Sequence, residues 1–209
     1  MNENDFNQEI AFIGEMAIRR MYQNAKWKLA PKKELQLRLE SIGLVFSLSG
    51  MQDYIDDIFW LEDASTGDIQ VEFTQTKTTC SRCPQGHHFR FMMSEFQKDK
   101  YIHFNSMIME HINSPESLFP LLPPQTKCVF NLVSQQGIFS FDFGELVNVK
   151  IKDGVATLTD FNSTKKIGSA VDRYAINVPD KTSLFEACKS RSSWKKQRQQ
   201  EEHGQGRWW

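Results

Sequence analysis

Residues 54–77 contain two short apolar segments separated by a turn-rich stretch, and this pattern constrains the fold more than any other. Residues 54–61 and 69–77 have the length and the β-branched and aromatic content of strands. Residues 62–68, between them, include Asp63, Ser65, Gly67 and Asp68, which favour turns. The sequence therefore predicts an antiparallel hairpin with acidic residues in its first strand and a polar end to its second.

Helices and strands alternate around this hairpin. Apolar residues at helical spacing from Phe6 to Met21 predict a helix over residues 5–24, with Asp5 as its cap. Alternation at Phe139, Phe141 and Phe143, and again at Val147, Val149 and Ile151, predicts further strands. The other predicted elements are a short helix (32–40), a buried strand (42–49), a long helix (92–113), a buried strand (127–134) and a final helical turn (182–188).

Length and composition indicate one soluble domain. The chain has 209 residues, enough for one full core, so we assign residues 1–190 to one domain and residues 191–209 to a polar C-terminal tail, either mobile or docked. Its 25 basic and 26 acidic residues make the chain no polycation, so any contact with nucleic acid needs a local basic patch. No apolar run approaches the roughly 20 residues that span a bilayer. Four cysteines and a polar N-terminus without signal-peptide features favour a cytoplasmic location.

The hairpin carries residues suited to a divalent cation. Gln75 and Lys77 lie two apart on one strand and point to the same side, whereas Glu72 faces away unless a β-bulge intervenes. In the preceding strand we favour Asp57, which leads directly into an apolar run, and we expect Asp56 to point the other way. Oxygen ligands from neighbouring strands suit a hard cation, and a lysine beside them suits an attacking water or a charged phosphate.

Asp57-Ile58, followed by Val71 to Lys77 with its Gln75-Thr76-Lys77 ending, resembles the PD-(D/E)xK nuclease superfamily in its Q-x-K variant. It is most similar to Mrr-like restriction nucleases and to double-stranded DNA endonuclease domains of bacterial antiphage systems. The resemblance covers roughly residues 5–135 by its order of elements. It implies an α/β fold with a restriction-endonuclease-like αβββαβ core, in which helices flank a mixed central sheet.

The same resemblance implies a metal-dependent DNA endonuclease. Mg²⁺ or Mn²⁺ would be held by Asp57, Gln75 and Glu15 of the first helix, with Lys77 as a further catalytic residue; Glu9 is the alternative to Glu15. We expect DNA rather than RNA as the substrate, and no membrane association. Binding to a protein partner and assembly into a homo-oligomer are both open.

Two departures from the family pattern keep other functions open. No proline precedes Asp57, and the neutral Gln75 predicts a weaker metal site. One alternative is a catalytically degenerate nuclease fold that serves as a nucleic-acid-binding or assembly module. A second is an RNA endonuclease of the viral cap-snatching type, although residues 5–40 lack the histidine that such enzymes usually carry on their first helices.

Several cationic and metal-ligating residues lie outside this motif. Arg90, Lys98 and Lys100 flank the start of the long helix and would meet phosphates if that helix borders the cleft. Cys80, Cys83 and a histidine such as His87 offer three of the four ligands of a structural zinc, and the alternative is a polar loop beside the site. Trp208-Trp209 ends the chain after a short basic cluster, Lys195, Lys196 and Arg198.

Overall fold

The computed structural model describes residues 3–29, 55–80, 89–113, 122–134, 137–158, 165–167 and 184–205. The predicted helix over 32–40 and the predicted strand over 42–49 lie outside the described residues, as do Cys83, His87 and the final tryptophans. The described helices are α1 (Glu3–Asn24), α2 (Glu95–Asn113), a 3₁₀ helix (Phe143–Asn148) and α3 (Leu184–Gln205).

The described strands form a larger and a smaller sheet. They are β1 (Lys28–Leu29), β2 (Asp57–Glu62), β3 (Ile69–Thr78), β4 (Phe89–Met92), β5 (Lys127–Ser134), β6 (Gly137–Asp142), β7 (Lys150–Lys152), β8 (Val155–Leu158) and β9 (Lys165–Ile167). The larger sheet has the order β1-β2-β3-β5-β6-β9, and the smaller has the order β4-β8-β7. β3 and β5 are parallel, whereas β2 and β6 run antiparallel to their neighbours. The predicted hairpin and the predicted mixed sheet are therefore confirmed.

Both faces of the larger sheet are covered by other elements of the fold. On one face, Ile13, Ala17 and Ile18 of α1 pack with Phe59 and with part of α3. On the other face lie α2, the 3₁₀ helix and the smaller sheet, with the buried aromatic side chains Phe73, Tyr101, Phe104, Phe130, Phe141 and Phe143. Aliphatic and aromatic burial of this kind is the main contribution to stability.

The helix predicted over residues 92–113 begins later, at Glu95, because a different local structure precedes it. Ser94 and Gln97 form a reciprocal capping box. The backbone nitrogen of Gln97 donates to Ser94 Oγ at 3.1 Å, and the backbone nitrogen of Ser94 donates to Gln97 Oε1 at 3.1 Å. Upstream of this cap, β4 pairs with β8 in the smaller sheet, a strand that the sequence did not predict.

Two further predictions are wrong in detail. Phe143, Val147 and Val149 do not continue a strand, because Phe143 and Leu146 are both buried and their three-residue spacing suits the 3₁₀ helix. The final helical turn predicted over residues 182–188 is too short, because α3 continues through the polar stretch from Arg191 as far as Gln205. Lysine, arginine and glutamine are good helix formers, and Trp194 of this stretch lies against Phe6 of α1.

α3 is joined to the end of β3 by a disulfide between Cys80 and Cys188, 108 positions apart in the chain. Arg191 and Lys195 also form ion pairs with Glu3 of α1. These contacts dock the C-terminal helix beside the N-terminal one. A reducing cytoplasm would keep such a pair as thiols, so the cytoplasmic location stays a prediction.

In the part of the chain that is described, no helix combines the length and the apolar character needed to cross a bilayer.

α1 approaches β3 most closely at Gly14. A Cβ atom at this position would lie 1.8 Å from Thr78 Oγ1 and 3.0 Å from Thr78 Cβ. Glycine therefore permits the close packing of helix on strand that brings the next residue, Glu15, over the end of β3.

Gly14→Ala should lower the free energy of unfolding by about 1–3 kcal/mol, the usual cost of overpacking. Alanine otherwise favours a helix, so a loss of stability would report the contact with Thr78. Urea denaturation would measure the change, with the exposed Gln8→Ala on the same helix as the control. Unchanged or higher stability of Gly14→Ala would contradict the close packing.

Candidate active site

A pocket of about 560 Å³ opens where the end of β3 meets the start of β2. Helices α1 and α3 border it on one side, and β4 and β8 border it on the other. Its polar lining includes Glu15, Asp56, Gln75, Thr76, Thr78, Lys77, Arg90 and Arg191. Three of the four predicted catalytic residues, Glu15, Gln75 and Lys77, therefore share one cavity.

The fourth predicted residue is replaced by its neighbour. The hairpin register pairs Asp57 with Thr74, so Asp57 turns to the side opposite Gln75. Asp56 faces Gln75 instead: its Oδ2 accepts hydrogen bonds from Gln75 Nε2 and from the Thr76 backbone nitrogen, both at 2.7 Å. The expectation that Asp57 rather than Asp56 shares a side with Gln75 is therefore wrong.

Asp57 is a structural residue in this arrangement. Arg19 of α1 binds it through two parallel hydrogen bonds, from Nε to Oδ2 at 2.8 Å and from Nη2 to Oδ1 at 2.9 Å. The Asp57 side chain is 6% exposed, so its charge is neutralised within the protein. Asp57 does not line the pocket, and its bidentate ion pair ties the hairpin to α1.

Two carboxyl groups face the pocket at raised pKa. Burial is the main cause for Glu15, and the negative charge of Asp56 raises the pKa of Glu15 further. Asp56 is exposed as a residue, but its carboxyl group turns inward, where desolvation raises its pKa more than the hydrogen bond from Thr76 and the charge of Lys77 lower it. The two groups repel each other, and a bound cation would relieve that repulsion.

Lys77 is half-buried in the same pocket, close enough for its charge to lower the pKa of Asp56. Glu72 faces away from the pocket, as predicted for a regular strand. Its carboxylate accepts a hydrogen bond from the Tyr22 hydroxyl of α1. Glu9 is not among the described residues that line the pocket, so Glu15 is the better placed of the two α1 candidates.

Of the predicted phosphate-binding residues, Arg90 lines the pocket and is exposed. Lys98 and Lys100 are not among the described lining residues. Lys98 is committed elsewhere, since its Nζ lies 2.6 Å from Glu95 Oε2 and 3.5 Å from the Val149 carbonyl oxygen. Among the described residues, the cations that line the pocket are therefore Lys77, Arg90 and Arg191.

Arg191 is a site residue that the sequence did not reveal. It belongs to α3, and the disulfide between Cys188 and Cys80 holds this part of α3 beside the pocket wall. A cysteine in a disulfide is not a zinc ligand, so the set of Cys80, Cys83 and His87 is incomplete as the structure stands.

The donors of the pocket suit a hard divalent cation. No group of three or more His, Cys, Asp or Glu side chains converges on a metal position within the described ranges. The pocket offers two carboxylates, Glu15 and Asp56, and the amide of Gln75. Mg²⁺ and Mn²⁺ prefer such oxygen ligands, and Mg²⁺ commonly binds through one or two carboxylates together with waters and substrate phosphates.

Comparison of the chain with protein-family models, with curated proteins and with solved structures found no match in any of the three. The pocket geometry and its chemistry are therefore the basis for assigning a function.

Glu15→Gln should stabilise the metal-free protein at neutral pH, because it removes a charge that burial and Asp56 disfavour. The gain is full above the raised folded-state pKa and disappears as the pH falls below the ordinary value of 4.5, where the carboxyl is protonated in both states. Denaturation in EDTA from pH 4 to pH 8 would measure it. A variant less stable than the wild type throughout would contradict this account.

Arg19→Ala should lower the free energy of unfolding by about 1.5–3 kcal/mol, the cost of removing hydrogen bonds to a charged group. Asp57 would remain as a buried carboxylate without its cation. The double variant Arg19→Met with Asp57→Asn should recover part of this loss, because it leaves no buried charge behind. Equal stability of Arg19→Ala and wild type would refute the structural role of the pair.

Proposed function

We propose that this protein is a metal-dependent DNA endonuclease of the restriction or antiphage type, with Glu15, Asp56, Gln75 and Lys77 as its catalytic residues. The observation that carries the proposal is the convergence of two carboxylates, an amide and a lysine on one pocket at the end of the hairpin. The assignment keeps three of the residues expected from the sequence and exchanges Asp57 for Asp56.

Each residue has a separate role in the proposed site. Glu15, Asp56 and Gln75 would hold Mg²⁺ or Mn²⁺, which when bound activates a water and neutralises charge on the phosphate. Both hydrogen bonds that Asp56 accepts from described residues use Oδ2, so Oδ1 is the oxygen that would face the cation. Gln75 donates through Nε2, so it would bind through Oε1.

Lys77 would act on the water and on the phosphate. Its side chain is half-buried next to Asp56, so its charge is less screened than that of a surface lysine. A cation in this position orients the attacking water and stabilises negative charge as it develops on the phosphate oxygens. The charge that Lys77 supplies also offsets part of the repulsion between the two carboxylates.

The order of elements supports the same proposal. A helix bearing Glu15, a hairpin bearing Asp56 and Gln75-x-Lys77, a crossover helix and a parallel central strand follow one another as α1, β2, β3, α2 and β5. The parallel pairing sets Lys77 beside Leu132 in the middle of the covered sheet. A restriction-endonuclease-like core is the fold that best accounts for this order.

Lys77→Ala and Asp56→Asn should each reduce divalent-cation-dependent cleavage of duplex DNA by about 10²-fold or more, the usual effect of removing such a group. Cleavage of a plasmid and of a labelled duplex with Mg²⁺ or Mn²⁺ would measure it. Single-stranded RNA in parallel would test the RNA alternative, since preferential RNA cleavage would contradict a DNA enzyme.

Two matched controls separate chemistry from folding. Lys127→Ala removes an exposed lysine at the start of β5 and should leave cleavage unchanged. Lys127 lies five positions before Leu132, the residue that pairs with Lys77. Asp57→Asn should reduce stability, because it removes the carboxylate that pairs with Arg19, while the folded fraction still cleaves. Full metal-dependent activity in Asp56→Asn would contradict the assignment of Asp56, in place of Asp57, as a catalytic residue. No heat on titration of wild type with Mn²⁺ would favour the binding module without catalysis.

A further inference from the structure

Three polar atoms at one side of the pocket are buried without a hydrogen-bond partner among the described residues. They are Thr76 Oγ1, Thr78 Oγ1 and Arg191 Nε, and all three residues line the pocket. Buried donors and hydroxyls are almost always paired, and an unpaired one costs free energy. All three residues line one cavity, so a ligand with several acceptor oxygens bound there would offer partners to these groups.

The three residues lie on the opposite side of β3 from the catalytic lysine. Thr76 and Thr78 alternate with Gln75 and Lys77 along the strand, so their side chains point toward α1. Asp57, which Arg19 of α1 holds, pairs with Thr74 on this same face. The pocket therefore reaches around the end of β3, with Lys77 on one side and the threonine hydroxyls on the other.

Arg191 is held near these hydroxyls but is only weakly engaged by its neighbour. The disulfide at Cys188, one helical turn earlier, fixes this part of α3 against Cys80, two positions after Thr78. Arg191 Nη2 lies 3.4 Å from Glu3 Oε1, whereas Lys195 Nζ lies 2.7 Å from the same oxygen. Lys195 also lowers the pKa of Glu3 more than Arg191 does. Glu3 is therefore mainly the partner of Lys195, and Arg191 retains donors for a ligand.

We propose that Arg191, Thr76 and Thr78 form a phosphate-binding subsite in the same pocket as the catalytic residues. A guanidinium with two hydroxyls matches the tetrahedral oxygens of a phosphate, and charge-assisted hydrogen bonds of this kind are strong. That the phosphate belongs to the DNA backbone, one or more nucleotides from the cleaved bond, rests on the proposed function. The subsite itself does not depend on it.

The charge of α3 favours an anion at this position. α3 (Leu184–Gln205) contains Lys189, Arg191, Lys195, Lys196 and Arg198 against Glu186, Glu201 and Glu202, which is a net charge of +2 from five cations and three anions. The complete chain has a net charge of -1, so this helix is a local basic patch of the kind that nucleic-acid contact requires. Lys189 and Lys196 are exposed and add to the positive potential.

The test measures binding without cleavage, using the oxidised, full-length protein in EDTA. Anisotropy of a labelled DNA duplex gives its Kd, and calorimetry gives the binding of inorganic phosphate. Arg191→Gln and Thr76→Val should each raise the Kd for the duplex about tenfold, the loss of one hydrogen bond to a charged group. The matched control, Lys127→Ala, removes one positive charge at an exposed position that does not line the pocket, and should change that Kd by less than about twofold.

Thr76→Val also separates a ligand site from a structural role. Valine has nearly the shape of threonine and removes a hydroxyl that lacks a partner, so the variant should be at least as stable as wild type in urea. Weaker binding together with unchanged or higher stability is expected for a subsite. Lower stability with unchanged binding would show that the hydroxyl serves the fold, and would overturn the proposal.

The remaining outcomes distinguish the source of the phosphate and the two proposals. Weaker binding of both duplex and inorganic phosphate by the two variants supports a site for the DNA backbone. Loss of inorganic phosphate binding alone supports a subsite for a free phosphate or nucleotide. Equal affinities in Arg191→Gln, Thr76→Val and Lys127→Ala, or no binding by wild type, would overturn the proposed subsite. Since cleavage is not measured, a protein that binds as expected but never cuts DNA would refute only the proposed function.

Discussion

The register between β2 and β3 is the constraint on which the candidate site depends. Successive side chains of a strand point to opposite faces, so a shift of one residue exchanges everything that faces the pocket for everything that faces away. Pairing Asp57 with Thr74 places Asp56 opposite Gln75 and sends Asp57 to α1. The apolar residues agree with this register, since Ile58 and Phe73 share the core under α2 while Phe59 packs beneath α1.

α1 is held against this hairpin by contacts of different kinds, and each affects where Glu15 lies. Gly14 allows close approach to Thr78, Arg19 binds Asp57, and Tyr22 stacks on Phe59 with ring centroids 4.0 Å apart. Since these contacts lie on one side of the helix, they define both its rotation and its distance from the sheet. The ion pair at Arg19 has a structural role that is separate from the chemistry of the pocket next to it.

The pocket also illustrates how a binding site conflicts with stability. Glu15 and Asp56 repel each other and have raised pKa values, and Thr76, Thr78 and Arg191 leave buried polar atoms unpaired. None of these features stabilises the protein without a ligand. A cation between the carboxylates and a phosphate against the arginine would satisfy both sets of groups, which gives the two proposals a common physical basis.

Local patterns were sufficient for much of the fold. The helix ending at Asn24, the hairpin and the central strand Lys127–Ser134 follow from periodicity and turn residues, because each element buries one stripe or face against its neighbours. Strand alternation also placed Gln75 and Lys77 together, whereas Glu15 was proposed from the family resemblance. The start of α2 was placed three residues too early, at residue 92, because the capping box of Ser94 and Gln97 sets it at Glu95.

The sequence by itself therefore determined which residue types can form a metal-dependent site and which strand presents them. Only the tertiary structure decided between Asp56 and Asp57, because that choice depends on how six loop residues, 63–68, set the hairpin register. It also decided that Arg19 neutralises Asp57 and that Arg191 reaches the pocket, where the disulfide between Cys80 and Cys188 holds α3. These contacts join positions 38 to 108 residues apart, and nothing in the local pattern of either partner specifies the other.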